Sequence, residues 1–177
     1  MRFEWNKFSF ELPPKFEIQK EYLPPGDQTP EQTGGPPAAA STAAGLTICR
    51  PSGCTPGIFP IADNPEDLDP GAAQVTIALS AIQARYVGPP LRHLQQMTRV
   101  LPEYLHAFQV VTCEPYQVGS HEAARVHFSF ETNFRIDQFI IAWRVDAEVV
   151  SATMTIPECD PDSGWRILQP FVDTFRP

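Results

Sequence analysis

The sequence predicts an α+β fold, a mainly antiparallel sheet flanked by helices. Three observations predict it. Residues 122 to 157 alternate apolar and polar side chains through two short polar breaks, the mark of a meander of strands. Residues 89 to 105 carry apolar groups at helical spacing. The last eighteen residues, DPDSGWRILQPFVDTFRP, do the same after a capping pair.

At the start of the chain, residues 3 to 5 and 8 to 12 form two aromatic-rich strands across Asn6-Lys7, a small hairpin. Residues 15 to 23 read as a further strand or an extended arm. Residues 24 to 73 hold 10 of the 20 prolines and 7 of the 10 glycines, a flexible Pro/Gly/Ala-rich insertion in a single domain spanning 1 to 177. A short strand over 46 to 50 interrupts it, and Ile58, Phe59 and Ile61 are the groups able to pin it to a core. A buried strand is expected over 74 to 82. The helix over 89 to 105 starts on Pro89-Pro90 and lines up Leu91, Leu94, Thr98, Leu101 and Leu105, with Pro102 kinking it or starting a fresh turn. A strand over 107 to 116 and a turn at Gly119-Ser120 lead into the meander.

Within the meander, the turn at Asp146-Ala147 sets Trp143 opposite Val150 and Ile141 opposite Ala152. A four-residue loop, Thr132 to Arg135, sets Phe128 opposite Phe139 and Val126 opposite Ile141. That register puts Phe128, Phe139, Ile141, Trp143 and Met154 in one dry layer beneath the terminal helix. In that helix Asp160 caps, Pro161 takes the first position, and Trp165, Leu168, Phe171 or Val172, and Phe175 face inward.

With 13 basic against 21 acidic residues the net charge is −8, which argues against nucleic acid and anionic membrane surfaces as partners. No apolar run is long enough to span a bilayer, so the chain is not expected to be membrane-embedded. The N-terminus lacks a secretory-signal pattern, which sets the expectation of a cytoplasmic protein. Cys49, Cys54, Cys113 and Cys159 lack zinc-ligand spacing, so no metal and no cofactor is expected, although Cys49 and Cys54 can close a small loop by pairing in an oxidising setting.

Catalytic signals are weak. His127, Ser129 and Glu131 alternate along one strand face. Read boldly, they are the parts of a small hydrolase; read plainly, they are the solvated face of an amphipathic strand. Asp137 and Glu131, and Asp146 and Glu148, flank loops, where carboxylates favour turns and keep sheet edges soluble. The expectation is therefore a non-enzymatic domain. The face opposite the heavy layer holds His127, Ser129, Gln138, Ile140, Ala142, Val149, Ser151, Thr153 and Thr155. The N-terminal hairpin or the helix over 91 to 105 would cover it, or a protein partner would; the first eight are the candidate partner-binding residues. An open sheet face or edge also invites homodimerisation.

FSFELPPKF near the start, LRHLQQMTRVLPEYLHAFQVV, VGSHEAARVHFSF, FRIDQFIIAWRV, VVSATMTIP and the closing ILQPFVDTF resemble the DcrB-like domains of the PsbP-like superfamily. The likeness covers about the first twenty residues and 74 to 177, and the long insertion departs from it. It implies a PsbP-like α/β/α sandwich and a binding role. Among such families, the Eag-type chaperones of type VI secretion suit an acidic chain of this kind. They imply a chaperone or adaptor for a secreted bacterial effector, with the effector's apolar helix as partner. A structural or accessory subunit of a larger assembly is the alternative. No functional residue carries across, because the pattern holds no catalytic motif.

Overall fold

A computed structural model describes residues 2–5, 8–12, 17–22, 44–49 and 75–176. Strands β1 (Arg2–Trp5) and β2 (Phe8–Glu11) form the expected hairpin, with Trp5 opposite Phe8 across Asn6-Lys7. Strands β3 (Glu17–Tyr22) and β4 (Ala44–Cys49) pair with each other, and β4 continues onto β5 (Thr76–Gln83). The rest of the insertion, the pinning by Ile58, Phe59 and Ile61, and any pairing of Cys49 with Cys54 lie outside the described residues. A short helix α1 (Ala84–Val87) leads to α2 (Pro90–Val100), and then come β6 (His106–Val118), β7 (His121–Glu131), β8 (Arg135–Val145), β9 (Glu148–Pro157) and α3 (Pro161–Asp173).

The larger sheet has seven strands in the order β3-β4-β5-β9-β8-β7-β6, every neighbouring pair antiparallel. The α+β expectation holds. The two-residue turn at Asp146-Ala147 pairs Trp143 with Val150 and Ile141 with Ala152, as the alternation requires. α2 stops at Val100, short of the expected 105, and Pro102 starts a fresh turn, one of its two expected effects: it cannot donate to the preceding turn, and the chain tightens into a 3-10 turn over Leu101–Glu103.

Each face of the sheet carries its own core. On one face Ile77, Leu79, Phe139, Ile141, Trp143, Val150, Ala152 and Met154 meet Leu168, Phe171 and Val172 of α3. The β1–β2 hairpin closes the end of this layer. Phe10 stacks on Phe175 at 5.0 Å and meets Phe171 edge-on at 5.6 Å, and Ser9 exchanges two backbone hydrogen bonds with Arg176. On the other face Leu94 of α2 sits on Val126, Phe128, Ile140, Ala142 and Val149. Full burial of each large side chain stabilises the fold by about 1.5–3 kcal/mol, so neither layer is incidental.

The register of β7 on β8 corrects the expected one. The loop has three residues, Thr132 to Phe134, closed by the Thr132 N–H donating to the Phe134 carbonyl; Arg135 is already in the ladder opposite Glu131. Everything moves by one. Val126 faces Ile140, His127 faces Phe139 and Phe128 faces Gln138. Phe128 therefore leaves the layer under α3 and lies under α2, against Phe108 at 5.1 Å. The expectation assumed one dry face, on which a slip would expose phenylalanines. With both faces covered, the slip costs no burial, and the Glu131–Arg135 cross-strand pair favours the shorter loop.

Candidate functional site

The eight candidate partner-binding residues do not share one face. His127 and Ser129 point to the α3 side, while Gln138, Ile140, Ala142, Val149, Ser151 and Thr153 lie on the α2 side. Ile140, Ala142 and Val149 are buried beneath α2, so the helix does the covering that the sequence allowed for. Ser151 is buried and bonds to Ser80 at 2.7 Å. Gln138 and Thr153 are half-buried. Gln138 donates to Thr155 at 3.0 Å, and Ala78 on β5 is exposed beside Thr153. A small-residue strip on β5 and β9 is what remains of the expected face.

The reading of His127 as a solvated side chain is corrected too: it is fully buried. Its ring stacks on Phe139 at 4.1 Å and 8°. Its Nε2 lies 2.8 Å from Oδ1 of Asp137, itself fully buried rather than flanking a solvated loop. Asp137 also accepts from Arg135 Nη2 at 2.9 Å and, through Oδ2, from the Cys159 backbone N–H at 3.1 Å. As a carboxylate collecting donors, Asp137 selects the imidazole tautomer with its hydrogen on Nε2. Burial pushes the His127 pKa below its ordinary 6.5. The Asp137 carboxylate partly opposes this, and the Arg135 charge reinforces it. Nδ1 is left without a partner among the described residues, as is Oγ1 of Thr112, the residue directly opposite on β6. No hydrogen bond among the described residues joins His127 to Ser129, and the imidazole has no surface open to a substrate. The node joins β7, β8 and the β9–α3 connection.

The exposed apolar surface lies elsewhere. Tyr86, Val100, Tyr104, Val110 and Val111 are the exposed large apolar side chains among the described residues. Four of the five fall between positions 100 and 111. Val100 ends α2, Tyr104 comes just after the 3-10 turn, and Val110 and Val111 lie on β6. Consecutive residues of a regular strand face opposite ways, but the ladder shifts register between Val110 and Thr112. β6 is also the last strand of the sheet among the described residues. Both valines thus reach solvent at an edge. The segment from Pro102 to Phe108 lines a shallow concavity of about 500 Å³ next to them, where Ala107 takes a left-handed backbone (φ 50°). Between Tyr104 and Cys113 the only titratable side chain is that of His106. Sequence reasoning placed a strand here without recognising its edge. Pro115 was the available signal, because a proline inside a strand belongs at a sheet edge.

No helix of the described residues is long and apolar enough to cross a membrane. Among the same residues, no three His, Cys, Asp or Glu side chains gather as metal ligands would.

No protein-family model matches the chain, and no curated protein matches it either. Solved structures do. The cyanobacterial PsbP, CyanoP, of Synechocystis is similar over 99% of this chain and 91% of its own, with a TM-score of 0.53 and 8% identity. The Ran-binding protein Mog1p of Saccharomyces cerevisiae is similar over 96% of this chain and 89% of its own, with a TM-score of 0.52 and 10% identity. The type VI secretion immunity protein TplEi of Pseudomonas aeruginosa has a TM-score of 0.48 at 12% identity over 76% of this chain, which spans 43% of TplEi. The first two establish a similarity of fold: this chain has a PsbP-like architecture.

Proposed function

We propose that this protein is a non-enzymatic protein-binding domain, and that it works as a chaperone or adaptor for a secreted bacterial effector, receiving an apolar segment at the rim formed by residues 100 to 111. The observation that carries this is that four of the five exposed large apolar side chains among the described residues, Val100, Tyr104, Val110 and Val111, fall within residues 100 to 111, which run into an edge strand. An edge strand offers unpaired backbone N–H and C=O groups to an incoming chain, and neighbouring apolar side chains supply the desolvated contacts. Glu103 is the one acidic or basic side chain besides His106 among residues 100 to 111, and this low charge suits an apolar segment better than a charged one. The type VI assignment rests on the sequence resemblance to DcrB-like domains, among whose relatives the Eag-type chaperones suit an acidic chain.

The test is co-purification of the full chain with the apolar N-terminal segment of a type VI effector. Retention at micromolar concentration supports the reading, and none at that concentration counts against it. Tyr104→Arg and Val111→Glu should each weaken retention by about tenfold or more. Both residues are exposed, so urea midpoints should move by no more than about 0.5 kcal/mol equivalent. Unchanged retention in both variants would remove the rim from the binding surface.

A further inference from the structure

We infer that the His127–Asp137 node is an acid-sensitive latch: protonating His127 frees the β9–α3 connection and the first turns of α3 from the sheet while the strands stay paired. The latch lies on the sheet face opposite α2 and does not depend on the proposed rim.

The geometry supplies three parts. The first is a fastening. Asp137 Oδ2 accepts the Cys159 N–H, and Asp160, the next residue, caps α3 by accepting the Ser163 N–H at 2.9 Å. The carboxylate thus holds the chain one residue before the helix cap. The second is a roof. Trp165 of α3 meets Phe139 edge-on at 5.0 Å, and Phe139 stacks on the imidazole. Arg125, two residues before His127, places its guanidinium 5.1 Å from the Trp165 ring while bonding Glu114 at 2.7 Å. The third is an imidazole with no second partner among the described residues. Neutral His127 spends its one hydrogen on Asp137. A proton added at Nδ1 creates an N–H donor and a positive charge beneath that roof.

The groups around the imidazole set the cost of that charge. Asp137 favours it. Burial opposes it most, and Arg135 beside it on β8 adds to that; Arg125 of β7 is paired with Glu114 of β6. Glu131, further along β7, is exposed at the strand end and paired across to Arg135. The connection contributes the Cys159 thiol, pushed up by burial and neutral, and Asp160, held below the usual carboxylate range by the Ser163 hydrogen bonds. α3 contributes Gly164 and Trp165, neither of which titrates. The one uncharged polar atom across the ladder, Thr112 Oγ1, makes no hydrogen bond to Nδ1. Among the described residues no group is placed to accept from Nδ1, and solvent reaches it when the roof lifts.

His127 has a lowered pKa when folded, so the latched state binds fewer protons than an opened one below the ordinary 6.5. The closed latch is fully stable above that value. It loses stability as pH falls from 6.5 through the folded pKa.

The test is amide hydrogen exchange, corrected for intrinsic rates, on the full chain between about pH 7.5 and about pH 4.5. Residues 159 to 168 should lose protection by about tenfold or more, while β8 and β9 keep theirs. His127→Gln retains an N–H for Asp137 and cannot titrate, so its α3 protection should not depend on pH. Proton NMR of the wild-type imidazole guards against a variant that fails to fold: its titration should coincide with the loss of protection. Unchanged α3 protection, equal loss in His127→Gln, loss spread over all strands at once, or an imidazole that stays neutral to about pH 4.5 would each overturn the latch.

Discussion

Gly164→Ala should be among the most damaging single substitutions in this protein. A Cβ at Gly164 would lie 2.2, 2.4 and 2.5 Å from three ring carbons of Phe139. That ring cannot drift away, because it is sandwiched between His127, stacked at 4.1 Å, and Trp165, edge-on at 5.0 Å. Either α3 must rise from the sheet or the aromatic layer must break. Overpacking of this kind costs about 1–3 kcal/mol, occasionally more, and the roughly 1 kcal/mol that alanine gains over glycine in a helix offsets only part of it. A net loss of about 2 kcal/mol in urea unfolding is expected. Phe139→Leu made together with Gly164→Ala should cost less than the sum of the two single changes, since the smaller side chain opens room for the methyl group. Strict additivity would mean that Gly164 and Phe139 do not touch.

Asp137→Ala should cost about as much or more, for a different reason. The change strands one buried donor, His127 Nε2–H, and a half-buried one, the Cys159 N–H, and releases Arg135 to solvent. Each buried unsatisfied donor costs about 1–3 kcal/mol, so a loss of about 2–4 kcal/mol is expected at neutral pH. Asp137→Asn keeps one acceptor and turns the other into a donor, and should fall between wild type and alanine. Thermal unfolding with the same three proteins checks the order. An alanine variant as stable as wild type would show that the node adds nothing to the fold.

The sequence made the elements legible more readily than their neighbours. Period-two alternation located β7, β8 and β9, and the Asp160-Pro161 pair marked the start of α3, because these depend on local geometry. The β8–β9 register was readable because a two-residue turn leaves little choice. The β7–β8 register was not. Thr132 to Arg135 admits three or four loop residues, and both faces of β7 carry apolar side chains or their equivalents. Phe128 is thus as well buried under α2 as it would be under α3. That one-residue difference moved His127 from an imagined wet face into the core. It also hid the node, because Asp137 looked like a loop carboxylate until its partners on β7 and at Cys159 were brought to it by the fold.

The candidate surface was misplaced for a related reason. A face of small and β-branched residues reads as available until the helix that packs on it is known, and α2 lies across Ile140, Ala142 and Val149. Exposure of Val110 and Val111 depends on β6 being an edge and on a bulge between Val110 and Thr112, neither of which periodicity records.

The covered face and the open rim can be told apart directly. Methyl NMR of the full chain, titrated with an effector's apolar N-terminal segment, reports on both at once. Binding at the rim should make the methyl signals of Val100, Val110 and Val111 shift and saturate, while those of Val126, Ile140 and Val149 stay in place. Shifts concentrated at Val126, Ile140 and Val149 would mean that α2 lifts to admit the partner onto the sheet, and would contradict it.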